Sequence, residues 1–186
     1  MSKFTPPSPL DQPELFFALV GPTGTDLDRV TDALDAELGI VDYELREPIR
    51  LSRLIAGLPG HEHLHDFSGT EDERIEAYMD AGDEVRETFG HAGALAALAV
   101  AEIRRIRGGD EAQPATAFLF RSLKHPKEVE LLRDVYGTSL VVIAVYEVEE
   151  KRERHLSRPG RAGHSRFWTE RPQGVSARRL FPRCRC

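Results

Sequence analysis

The chain has 186 residues, 40% of them hydrophobic and 30% charged, a mixture that fits one globular domain of ordinary size. It excludes a membrane span, since no apolar run approaches the roughly 20 residues a bilayer helix needs, and the N-terminus lacks a secretory signal pattern, so a soluble, cytoplasmic chain is expected. The net charge of −6 averages two unlike pieces: residues 157–186 hold eight arginines, no lysine and one acid, for +7, while residues 1–156 sum to −13.

Residues 1–14, with Pro6, Pro7, Pro9 and Pro13 among small polar residues, are expected to form a disordered leader. The domain is then expected over residues 15–156. Leu15 to Val20 is an apolar run of strand length, followed by the loop Gly21-Pro22-Thr23-Gly24-Thr25. Leu27, Val30, Ala33, Leu34 and Leu38 then recur at helical spacing. Ile40 to Leu45 reads as a second strand, and Ile49, Leu51, Leu54 and Ile55 as a short helix after Pro48. Pro59 to Gly69 has no periodicity and reads as a loop. Thr70-Glu71-Asp72-Glu73 has capping-box form for a helix whose apolar face is Ile75, Tyr78, Met79, Val85 and Phe89, with Asp80, Asp83, Glu84 and Arg86 on its wet face. Leu95, Leu98, Ile103 and Ile106 line the next helix, which runs out at Gly108-Gly109. Phe118 to Phe120 is a third strand, Pro126 opens a helix through Val135, and Leu140 to Val145 is a fourth, β-branched strand. Strands alternating with helices indicate an α/β fold, a parallel sheet with helices on both faces. Four strands leave that sheet incomplete, and an unpaired apolar edge favours self-association.

Such a sheet places ligands at the C-terminal strand ends and helix N-termini. The loop Gly21-Pro22-Thr23-Gly24-Thr25-Asp26 therefore stands first. Its glycines allow a tight turn and close approach, and the following helix offers free N–H groups to a phosphate. The spacing and lysine of G-x-x-x-x-G-K-[ST] are missing, and Asp26 adds negative charge. A plain strand-to-helix turn capped by Thr25 or Asp26 explains this segment equally well. Arg121-Ser122-Leu123-Lys124-His125-Pro126 follows the third strand and puts two cations and a hydroxyl where phosphate would sit. His61-Glu62-His63-Leu64-His65-Asp66 has metal-ligand chemistry but neither partner cysteines nor a scaffold, so no metal is expected there. Cys184 and Cys186 make neither a zinc set nor a disulfide framework.

The run Glu14 to Leu27, the segments Tyr78 to Arg86 and Ala99 to Arg104, and above all Arg121 to Gly137 together resemble the N-terminal domain of the bacterial anti-phage deoxycytidylate (dCTP/dCMP) deaminases. The resemblance covers residues 14–156 with its motifs in order. It implies a P-loop-kinase-like domain with a degenerate phosphate loop, acting as the nucleotide-binding, regulatory or sensing half of an enzyme whose zinc-dependent deaminase domain follows. It marks Gly21, Thr23, Gly24, Thr25, Asp26, Arg121 and Lys124 as candidate nucleotide contacts, with a bound nucleotide as the implied ligand. Zinc deaminases need H-x-E followed by P-C-x-x-C. This sequence has neither: His61-Glu62-His63 is in the wrong order and Cys184-Arg185-Cys186 has the wrong spacing. The chain is therefore expected to be truncated before its zinc domain, with no catalytic residues, metal or cofactor of its own.

The resemblance ends near Leu156, where the composition changes. Residues 157–186 could bind nucleic acid through their arginines with Phe167, Trp168 and Phe181 stacking on bases. The alternative is out-of-frame sequence: read one nucleotide later, Phe167 into Pro182 can encode Gly-Gln, Val-Arg and Ala-Asp-Phe-Phe elements that resemble the family's continuation. The second reading is preferred, so the tail is expected to be disordered and nucleic acid is not an expected partner. A small nucleotide or nucleoside kinase remains the alternative function for the domain, against which the missing lysine counts.

Overall fold

Apolar runs without polar alternation need cover on both faces, which a parallel sheet between helix layers provides. The computed structural model describes residues 12–156, so the Arg-rich stretch 157–186 and residues 1–11 of the expected leader lie outside the described residues. In chain order the elements are β1 (Leu15–Val20), α1 (Leu27–Ile40), β2 (Glu44–Leu45), β3 (Ile49–Arg50), α2 (Leu51–Ala56), α3 (Glu71–Thr88), α4 (Ala94–Arg107), β4 (Thr116–Arg121), α5 (Pro126–Tyr136), β5 (Leu140–Ala144) and α6 (Glu149–Leu156). The five strands form one parallel sheet in the order β2-β4-β1-β5, with β3 also on β4. β2 and β3 lie along the same edge of β4, against Thr116–Ala117 and Phe120–Arg121, so they act as one interrupted strand.

Successive side chains of the central strands point to opposite layers. Phe16, Ala18, Phe118 and Phe120 face α2, α3, α4 and α5 in the larger core, joined by Ile55, Leu95, Ile103 and Leu132. Phe17, Leu19, Ala117 and Leu119 face α1, where Leu27, Val30, Leu34 and Leu38 cover them. All six residues of β4 are buried. β5 pairs with β1, and Val141 on it is 44% exposed. Among the described residues, no helix is long and apolar enough to cross a membrane.

The expected capping box of α3 is present, with Thr70 and Glu73 exchanging hydrogen bonds. The two bonds from Thr70 hold the Glu73 carboxyl below its ordinary pKa.

Other segments depart from the sequence reading. The expected second strand over residues 40–45 shrinks to Glu44–Leu45, because α1 continues through Ile40 and closes with Val41 and Tyr43 N–H groups on the Leu38 carbonyl. The leader 1–14 yields its last three residues to the fold. Ala115 N donates to the Gln12 carbonyl at 3.0 Å, Tyr43 Oη to the Pro13 carbonyl at 3.0 Å, and Glu14, only 5% exposed, accepts from Arg107 Nε at 2.9 Å and Gln113 N at 2.8 Å. Phe89, expected on the apolar face of α3, is 61% exposed because the helix has ended and the chain turns away. Arg86, expected on the wet face, turns inward to the buried Glu128. The loop 59–69 contains a 3-10 turn, Glu62–Leu64, that buries Leu64.

Candidate functional site

β1 and β4 are neighbours, so the loops that leave their C-terminal ends meet above the sheet. The first loop, Gly21 to Asp26, turns at Gly24 with φ +85°, a left-handed conformation that disfavours any side chain. Asp26 caps α1, its Oδ1 accepting from Arg29 N at 3.3 Å. Thr25 is 8% exposed, and its Oγ1 has no hydrogen-bond partner among the described residues. It lies 3.5 Å from where a Cβ on Gly21 would stand, so the hydroxyl faces the inside of the loop.

The second loop owes its shape to Glu128. This carboxylate is fully buried in the first turn of α5, where Oε2 accepts from Lys124 N at 2.7 Å and His125 N at 3.1 Å. Arg86 Nη2 from α3 donates to its other oxygen at 2.8 Å. His125 completes a reciprocal cap, its Nδ1 accepting from Lys127 N at 3.1 Å. With Ser122 at φ +68° and Leu123 buried below, the chain aims Lys124 back at the first loop. Its Nζ reaches Thr23 Oγ1 at 3.5 Å, the outer limit of a hydrogen bond. Lys124 is an exposed residue, yet desolvation around its ammonium lowers the pKa, an effect that Glu128 opposes.

Arg121 takes a different partner. Its Nη1 lies 2.7 Å from Asp28 Oδ1 in the first turn of α1, and Arg50 from the end of β3 approaches the same oxygen at 3.8 Å. The candidate positions Gly21, Thr23, Gly24, Thr25, Asp26, Arg121 and Lys124 therefore all gather around the start of α1, with the arginine committed to an internal carboxylate.

The last element also comes to this place. α6 lies against the first loop: Arg152 Nη1 donates to the Thr23 carbonyl at 3.1 Å, and a Cβ at Gly24 would sit 2.9 Å from the Arg152 carbonyl oxygen. Glu147, just before α6, accepts from Asp26 N at 3.2 Å, and His155 Nδ1 stands 3.8 Å from Asp26 Oδ2. Sequence reasoning missed Asp28, Arg86, Glu128, Glu147 and Arg152. Only Glu128 left a local signal, as the third residue after His125 in a Pro-started helix.

In the His61–Asp66 loop the His61 and His63 rings are 6.4 Å apart, and among the described residues no group of three or more His, Cys, Asp and Glu side chains could hold a metal ion. No protein-family model matches the chain, and no curated protein sequence matches it.

Proposed function

We propose that residues 15–156 are a nucleotide-binding domain of the P-loop kinase type, the regulatory or sensing half of an anti-phage deoxycytidylate deaminase. The observation that carries the reading is the meeting of two loops at the C-terminal ends of β1 and β4. One brings the buried, unpartnered Thr25 hydroxyl to a helix N-terminus; the other brings the Lys124 ammonium. A helix start, a hydroxyl and a cation brought together are groups that hold a phosphate. The position of β1 between strands reached in opposite directions along the sheet supports it too, because ligands of open α/β sheets bind where the strand order reverses.

The domain binds rather than transfers. Leu27 and Asp28 occupy the first turn of α1, where a phosphate-loop lysine would act, and the deamination step needs a zinc set these residues do not supply. Titration calorimetry of the full chain with dCMP and dCTP tests the reading. Binding that weakens about 10- to 100-fold in Lys124→Ala, the loss of one charge-assisted contact, is expected. Absence of binding to either deoxynucleotide overturns it.

A further inference from the structure

The first amides of a helix attract an anion. At α1 that attraction is met from within the chain, across 121 residues of sequence, by Glu147 Oε2 on Asp26 N at 3.2 Å. Two contacts deliver this carboxylate. Val145 N donates to the Val20 carbonyl at 2.8 Å, carrying the β1–β5 pairing one residue further, and Arg152 Nη1 on the Thr23 carbonyl pins α6 over the loop. Beside the occupied amide, the Thr25 hydroxyl is buried without a partner and faces Gly21. Burying a hydroxyl unpaired destabilises the fold, and Glu147 does not relieve it. A phosphate group has enough acceptor oxygens to take both the Asp26 amide and the Thr25 hydroxyl, while the Lys124 ammonium, 3.5 Å from Thr23 Oγ1 of the same loop, is placed for a second phosphate.

We propose that Glu147 occupies the phosphate position of this loop: its carboxylate holds the α1 N-terminus in the ligand-free chain, and a diphosphate-bearing ligand binds by displacing it. This rests on the reading of the loop as a phosphate site. The displaced carboxylate is an internal competitor, so its removal strengthens binding instead of weakening it. A contact residue would do the opposite.

The test is calorimetric titration of the full chain with pyrophosphate, comparing wild type with Glu147→Ala and Glu147→Gln. Glu76→Gln on the exposed side of α3 controls for net charge, and circular dichroism verifies folding; Glu147→Gln keeps the side-chain volume should the alanine variant not fold. Both Glu147 variants are expected to bind at least about tenfold tighter than wild type, equivalent to about 1.4 kcal/mol. The Glu76 control is expected to stay within about twofold, since exposed remote charges are screened. Equal or weaker binding by the Glu147 variants, with pyrophosphate binding still weakened in Lys124→Ala, overturns the competitor and leaves the phosphate site standing. No pyrophosphate binding by any of these proteins overturns both.

Discussion

Replacing Arg86 with methionine keeps the length of the side chain and removes its charge. The Glu128 carboxylate then stays fully buried with only the Lys124 and His125 amides as donors, at 2.7 and 3.1 Å. Breaking a buried pair from one side costs about 3–5 kcal/mol, because an uncompensated charge remains. The two surviving amide bonds place Arg86→Met near the lower end, about 3 kcal/mol. With a urea slope of about 2 kcal/mol per molar for a domain of this size, the midpoint falls by about 1.5 M. Adding Glu128→Gln removes both charges, so the double variant should be more stable than Arg86→Met alone. Urea unfolding followed by circular dichroism reads all three proteins. A shift below about 0.5 M in Arg86→Met would mean that the pair does not fix the loop after β4, and the account of how Lys124 is aimed would fail.

Four further outcomes follow from the same geometry. Thr25→Val swaps an unpaired buried hydroxyl for a methyl of the same shape, so thermal unfolding should show unchanged or raised stability while calorimetry shows weaker deoxynucleotide binding; lost stability would mean the hydroxyl has a structural partner. Gly24→Ala puts a Cβ 2.9 Å from the Arg152 carbonyl at φ +85°, and urea unfolding should show a loss above about 1–2 kcal/mol from the left-handed backbone alone. Lys124→Met removes an ammonium whose pKa desolvation has lowered, so the urea midpoint should hold or rise slightly, the gain staying below about 1 kcal/mol because the residue as a whole is exposed, while deoxynucleotide binding weakens. Tyr136 stacks on Phe16 and burial pushes its phenol from the ordinary 10.0 up to about 12. The unfolded chain therefore ionises first, and this contribution to stability is full below pH 10 and drains away as pH rises from 10 to 12. Urea midpoints across that range should fall less in Tyr136→Phe than in wild type; parallel curves would refute it.

The sheet was legible wherever neighbouring residues decide the conformation. β1, β4 and β5 are apolar runs that only a covered strand can use, and the Thr70–Glu73 and Pro126 signals lie within one helical turn of what they start. β2 was misplaced because its two residues are held by β4 rather than by their own periodicity, and Ile40 could as well end a helix as begin a strand. The candidate site divides the same way. Its glycines, threonines and Lys124 announce themselves by position after strands. Arg86 looked solvated because its partner is 42 residues away, and Asp26 looked like a bare cap because Glu147 reaches it across 121. Long-range carboxylates that finish a site leave no pattern around themselves.

The proposed function requires phosphate to bind where the loops after β1 and β4 meet. Amide chemical shifts of the full chain, followed as dCTP is added, test it most directly. Gly24, Thr25, Asp26 and Lys124 are expected to shift first and together, with Glu147 following as its carboxylate leaves the Asp26 amide. Shifts confined to other parts of the sheet, or none at saturating nucleotide, would contradict it.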